Sequence, residues 1–183
     1  MAKSGKPEAR VEILYSAAQI AARVTALADV IAQSLGPEPM VVAVLKGSFV
    51  FTADLLRALH HHGAHPQVEF LTLASYGAGT ESRGRIDILR DITDDVAGRD
   101  VLLVDDILES GRTLAFARDH LQGRGARKVW LCVLLHKPGK LKAEVTADFV
   151  GFETPNLFVV GYGLDYAHYY RELPYIGVIQ AES

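Results

Sequence analysis

Apolar positions recur along this chain at two periods, and their alternation predicts its elements. Ile20, Val24, Leu27 and Ile31 share one face at helical spacing, predicting a helix over Ala17–Leu35 capped by Ser16 and stopped by Gly36-Pro37. Met40 to Leu45 is continuously apolar, the pattern of a strand covered on both faces. Lys46-Gly47-Ser48 interrupts it, and Phe49 to about His61 returns to helical spacing. Gln67–Leu73 reads as a strand, and Ile86–Ile92 as another, separated by a polar, glycine-rich stretch from Ala74 to about Arg85. Gly98 then marks a turn into the apolar run Val101–Val104, which ends at Asp105-Asp106. Helical spacing resumes from Leu114 to Leu121 and stops at Gly123, and Arg127–Leu135 is a strongly apolar strand. Beyond Leu135 the pieces shorten. Phe149–Phe152 and Leu157–Tyr162 are short strand candidates, Asp165–Glu172 a short helical turn, and Tyr175–Gln180 a last strand.

Strands alternating with helices predict an α/β fold with a mainly parallel central sheet flanked by helices, and a ligand at the carboxyl ends of the strands. The short pieces after Leu135 predict an added subdomain rather than another βαβ repeat. Size and composition fit one domain over residues 1–183: the 183 residues are 49% hydrophobic and 22% charged, enough for a sizeable core. The net charge of −3 gives no electrostatic reason to expect nucleic acid or an anionic membrane as partner. The one cysteine, Cys132, lies in an apolar run and reads as a small buried hydrophobe, with no disulfide framework and no cysteine metal site. A basic, polar N-terminus leads into no signal-type apolar core, and no apolar stretch approaches membrane-spanning length, which implies a cytoplasmic protein. His60-His61-His62 sits at an amphipathic helix end and reads as solvated rather than metal-binding.

The candidate chemistry gathers after Val104. Asp105-Asp106-Ile-Leu-Glu109-Ser110-Gly111-Arg112-Thr113 joins a strand to a helix, the layout that aims backbone N–H groups at an anion. Paired carboxylates beside such a cradle repel phosphate itself, and make sense facing sugar hydroxyls or a magnesium ion. Lys46 and Gly47, at another strand end, let the backbone approach a diphosphate closely while adding positive charge; alone, a loop lysine is as readily just solvated. Lys137 also follows a strand end. Phe158 beside an edge backbone suits stacking on a flat base, whereas Phe149, Phe152, Tyr162 and Tyr175 read as core.

The acidic string resembles the phosphoribosyl-pyrophosphate loop of type I phosphoribosyltransferases. With Val44-Leu-Lys-Gly-Ser48, His136-Lys-Pro138 and Asp148 to Val178, the resemblance extends over about Leu14–Ile179 and narrows to the hypoxanthine-guanine phosphoribosyltransferases. It implies a fold with a purine-binding hood over about residues 136–183 and a mobile lid over about 74–86 that includes Ser75 and Tyr76. The glycine-rich lid segment has a plainer reading as a hairpin tip. The implied reaction is magnesium-dependent transfer of 5-phosphoribosyl from phosphoribosyl pyrophosphate to N9 of hypoxanthine or guanine, in purine salvage. Glu109 is then the catalytic base. Lys46, Gly47, Asp105, Asp106, Ser110, Gly111, Arg112, Thr113 and Arg171 bind phosphoribosyl pyrophosphate. Lys137, Phe158, Val159 and Asp165 bind the purine, with Asp105, Asp106 and Asp165 as magnesium ligands. The resemblance also implies a homodimer or homotetramer and, at Leu45–Lys46, a cis peptide.

Four positions depart from the family pattern, two of them mildly: Ser110 and Arg112 stand where threonine and lysine or leucine are frequent. Glu109 stands where an aspartate is usual, keeping the carboxylate but changing its reach by a methylene. His136 stands where an aspartate often precedes the lysine. The same fold also serves non-catalytic phosphoribosyl-binding regulators, the second reading kept for this chain. A phosphatase or receiver domain built on Asp105-Asp106 lacks the remaining acids.

Overall fold

The computed structural model describes residues 9–76 and 85–180. Its elements are β1 (Val11–Tyr15), α1 (Ala17–Leu35), β2 (Met40–Leu45), α2 (Phe49–His61), β3 (Gln67–Tyr76), β4 (Arg85–Arg90), β5 (Asp100–Leu108), α3 (Arg112–Gly123), β6 (Lys128–His136), β7 (Phe149–Glu153), β8 (Val159–Val160) and β9 (Ile176–Ile179). Six strands form the main sheet in the order β4-β3-β2-β5-β6-β7. All neighbours pair parallel except β3 with β4. The fold is therefore α/β with a mostly parallel central sheet, as the alternation of periods predicts.

The apolar runs are buried because both faces of the sheet are covered. Val41, Leu102, Val104, Cys132 and Leu134 pack with α1 and α2 on one side. Val42, Leu103, Leu131 and Val133 pack with Leu114, Ala117 and Leu121 of α3 on the other. Alternate residues of one strand thus serve opposite faces, so the runs have no polar gaps. Cys132 is fully buried, and burial pushes its thiol far above the ordinary range, so it stays a protonated apolar filler. At the start of α1, Gln19 N donates to Ser16 Oγ while Ser16 N donates to Gln19 Oε1, a capping box that fixes where the helix begins. No helix among the described residues is long and apolar enough to cross a membrane.

A second, three-stranded antiparallel sheet, β1-β9-β8, sits beyond the main one. This small sheet, called the hood below, holds the short strands β8 and β9 from the end of the chain, and β1, from the other end, completes it through Val11↔Ile179 and Ile13↔Gly177. Tyr15 ties this sheet to β7, stacking on Phe152 at 4.1 Å and donating to the Glu153 carbonyl.

The helical turn expected over Asp165–Glu172 is not formed. The chain instead makes tight reversals bridged at Gly161↔Leu164 and Tyr166↔Tyr169, with Ala167, His168 and Tyr170 at positive φ. Two causes are visible. The Asp165 carboxylate accepts from His168 N, offering the backbone a local alternative to helix. Tyr162 N and Gly163 N donate to the Leu173 and Arg171 carbonyls, which folds the segment back on itself. A further correction concerns β5, which continues through both acids to Leu108 because β6 runs alongside in register, Asp105↔Val133 to Leu108↔His136. The acids therefore stand on the strand itself. The 77–84 part of the expected lid lies outside the described residues, as do the side chains of Ser75 and Tyr76. The backbones of these two residues belong to β3 and pair with Ile86 and Arg85.

Candidate active site

Two cavities meet at the carboxyl ends of the parallel strands. The first, about 300 Å³, lies between the end of β2 and the turn from β5 into α3. Lys46, Gly47, Asp105, Asp106, Ser110, Gly111 and Thr113 line it. The second, about 480 Å³, lies between β5, the loop after β6 and the hood, and is lined by Lys137, Lys140, Phe158, Val159 and Asp165 among others. Asp106, Ile107 and Glu109 line both.

In the first cavity, Gly111 opens α3 at φ +75°, a left-handed conformation that costs little only for glycine, and a Cβ there would meet Val145 at 2.5 Å. Gly111 has no side chain to cap α3, and of the first-turn amides Arg112 N makes only a long bond to Ser110 Oγ, 3.4 Å, which leaves this helix start open to an anion. Arg112 is exposed and outside the lining. Across the cavity, the Leu45–Lys46 peptide is cis, as the resemblance implies, and the turn after it closes with Phe49 N donating to the Lys46 carbonyl. Buried Ser48 anchors that turn by donating to the Val44 carbonyl at 2.5 Å. Gly47 is fitted against the acids: a Cβ on it would lie 1.5 Å from Asp106 Oδ2. The Gly47 carbonyl in turn leaves no room for a side chain on Gly163, where a Cβ would sit 2.3 Å away.

Asp105 is buried and Asp106 half-buried, and each accepts the amide of the next residue, Asp106 N at 2.9 Å and Ile107 N at 2.7 Å. Burial, then the Asp106 charge beside it, pushes Asp105 well above the usual carboxylate range. Burial raises Asp106 as well, opposed by the bond with Asp105 and by the charge of Arg171. A buried acid pair with its negative charge this poorly compensated suits a cation or hydroxyl donors. Among the described residues no three His, Cys, Asp or Glu side chains gather as a metal cage. Magnesium is commonly held by one or two carboxylates with substrate oxygens completing the shell, and the pair fits that role. Asp165 is already engaged: its Oδ1 lies 2.7 Å from Arg171 Nη2 and its Oδ2 accepts from His168 N. Arg171 also donates to the Gly163 carbonyl, so these two expected ligands of different groups pair with each other inside the hood.

In the second cavity, Lys137 is buried, its Nζ 3.4 Å from Glu109 Oε2. Its loop is stitched to the β5–α3 turn by two backbone bonds, Lys137 N to the Leu108 carbonyl and Lys142 N to the Ser110 carbonyl. Phe158 is 55% exposed and makes a T-shaped contact with Tyr166, ring centroids 5.5 Å apart. The Phe158 carbonyl accepts from Ile179 N, so the next residue, Val159, turns its backbone groups to the free edge of β8. Lys140 and Asn156 line this cavity without any motif in the sequence pointing to them. Burial raises Glu109, but the Lys140 hydrogen bond and the Lys137 charge outweigh it and hold the carboxyl below the usual glutamate range.

A parallel sheet carrying an open helix N-terminus, a buried acid pair and a hooded second cavity defines the type I phosphoribosyltransferase class. The family model of the phosphoribosyl transferase domain matches residues 10–167. The chain is 41% identical over 172 residues to the hypoxanthine-guanine phosphoribosyltransferase of Streptococcus agalactiae serotype V, covering 93% of this chain and 94% of that one. The crystal structure of a hypoxanthine-guanine phosphoribosyltransferase from Bacillus anthracis superposes with TM-score 0.87 at 41% identity, over 94% of this chain and all of that one. At 48% identity over 147 residues the chain also resembles the bifunctional protein TilS/HprT of Listeria monocytogenes serotype 4b, of which it spans 22%, about a fifth. The chain belongs to the hypoxanthine-guanine phosphoribosyltransferase family.

Proposed function

We propose that residues 1–183 act as one catalytic domain that transfers 5-phosphoribosyl from phosphoribosyl pyrophosphate to N9 of a 6-oxopurine, hypoxanthine or guanine, in purine salvage. The observation that carries this reading is the position of Glu109 on the seam of the two cavities, with a buried acid pair on one side and Lys137 with Phe158 on the other.

The 5′-phosphate sits on the Ser110–Thr113 turn, and Asp105 and Asp106 accept from the ribose hydroxyls. Lys46, Gly47 and Arg171 receive the leaving pyrophosphate, Arg171 after exchanging its partner Asp165. Asp105 and Asp106 would hold a magnesium ion, which would supply charge neutralisation for the sugar and pyrophosphate oxygens. The bond from ribose C1 to the pyrophosphate oxygen breaks with its electron pair leaving on pyrophosphate, and N9 supplies the pair for the new bond. Negative charge builds on pyrophosphate as this happens, so the cations act selectively on the transition state. Glu109 takes the purine proton at N7.

Lys137 donates to the exocyclic 6-oxygen. Adenine offers an amino donor there, so donor would face donor and the base is rejected. Phe158 stacks on the ring, and the Val159 carbonyl accepts from the ring edge or a 2-amino group. The lid around Ser75 and Tyr76 excludes water from a sugar cation prone to hydrolysis. The reading extends to a cytoplasmic homodimer or homotetramer. Steady-state pyrophosphate release with hypoxanthine, guanine, xanthine and adenine tests it. Release with the oxopurines and none with adenine is expected. Binding of phosphoribosyl pyrophosphate without turnover on any base would point to a non-catalytic regulator.

A further inference from the structure

The loop that leaves β6 brings two lysines to one carboxylate. Lys137 Nζ lies 3.4 Å from Glu109 Oε2, and Lys140 Nζ lies 3.2 Å from Oε1. The two differ in setting: the Lys137 side chain is 7% exposed, whereas those of Lys140 and Glu109 are each 40% exposed. Both lysines line the purine-side cavity. Resting on the assignment of Glu109 as the base, we propose that Lys140 is a positioning residue for proton transfer, holding the outer oxygen of Glu109 so that the carboxylate stays aimed into the purine cavity.

The need for such a residue follows from the glutamate. Its side chain has one more rotatable bond than an aspartate, so a fixed orientation costs more conformational entropy. Cations on separate oxygens fix the carboxylate plane as well as its position. Lys137 reaches only Oε2, and the 6-oxygen of the base draws on the same ammonium during the reaction. Lys140 is then the partner that remains. The loop can bear this load because Lys137 N and Lys142 N, on either side of Lys140, are tied to the β5–α3 turn.

Lys140 also acts on the charge of the base. Its bond helps keep Glu109 ionised to lower pH than burial alone would allow. Removing a cation from a carboxylate raises its pKa, so the acid limb of the rate profile moves to higher pH. The other charged groups lining the cavities that Glu109 shares are Lys46 after β2, Asp105 and Asp106 on β5, and Asp165 in the hood. None of these is altered by substituting Lys140.

The test compares wild type, Lys140→Met and Lys140→Arg in kcat/KM for hypoxanthine across pH, with saturating magnesium and phosphoribosyl pyrophosphate. In parallel, carbon-13 NMR follows the Glu109 carboxyl without substrate, assigned by its loss in Glu109→Gln. Lys140→Met should lose about twofold to fivefold in kcat/KM on the high-pH plateau, the scale of a half-exposed ion pair, with a further loss on the acid side. The NMR midpoint should move up with it, and Lys140→Arg should restore both. A Lys140→Met protein with the wild-type acid limb and the wild-type Glu109 titration overturns the proposal. A wild type that transfers nothing, while Lys140→Met still shifts the NMR midpoint, overturns Glu109 as base and with it the role of Lys140, but leaves the ion pair standing.

Discussion

The cavity proposed as the phosphate half of the site stands on the ends of β2 and β5, in the middle of the main sheet, whereas the proposed purine half stands on the loop after β6 and the small hood sheet. In the first, position comes from backbone: parallel ladders, an uncapped helix start, and a glycine with no space for a Cβ. In the second, position comes from side chains, with a buried lysine, an exposed phenylalanine and an arginine–aspartate pair. The charges differ as well. Burial leaves the acid pair of the first half short of compensating charge, while Glu109 is held between two lysines and Asp165 of the second half pairs with Arg171. A rigid backbone cradle suits a phosphoribosyl group that is the same in every turnover. A side-chain-built pocket suits a choice among bases. Glu109 belongs to both.

Substitutions can break that contrast in order of expected effect. Glu109→Gln strikes the seam, and kcat should fall by on the order of 10²–10⁴-fold, as for removal of an oriented general base, with both KM values little changed. Undiminished turnover would remove Glu109 from the mechanism. Gly47→Ala strikes only the backbone half. Its methyl would displace the Asp106 carboxylate, and misplacement on this scale costs on the order of 100-fold in kcat/KM for phosphoribosyl pyrophosphate. The preference among purines should be unchanged; a protein with wild-type kinetics would show the close approach to be unnecessary. Lys137→Ala strikes the purine half and one of the two cations on Glu109. Loss of a charged hydrogen bond of about 1.5–3 kcal/mol should cut the preference for hypoxanthine over adenine by about tenfold or more, read as the ratio of kcat/KM values. An intact ratio would sink the selectivity argument.

The same contrast explains what could be read from the sequence. The main sheet was legible because its strands are buried on both faces, and α1 because its apolar face and capping box are local features. Lys46, Gly47, Ser110, Gly111 and Thr113 come together because each lies at a strand end or helix start, which periodicity locates; Asp105 and Asp106 join them from within β5, further along the strand than the apolar run marks. Lys137 and Phe158 were legible as motif residues. Three things were not. The strand β1 is short, half-exposed and paired with a strand at the far end of the chain, so no local pattern marks it. The hood segment from Asp165 to Glu172 has its conformation set by bonds to Leu173 and by residues at positive φ, neither of which spacing reveals. Lys140 follows Pro138-Gly139 in a loop, and its only trace in the sequence is a second lysine three residues after the first.

The central claim is that both cavities are filled by one reaction, with Glu109 between them. A crystal structure with the nucleotide product IMP bound tests it most directly. The account predicts the 5′-phosphate on the Ser110–Thr113 turn, the ribose hydroxyls at Asp105 and Asp106, and the base against Phe158. Purine N7 should lie within hydrogen-bond reach of Glu109, and the 6-oxygen within reach of Lys137. A nucleotide whose base lies outside the second cavity, or a Glu109 carboxylate turned away from N7, would contradict it.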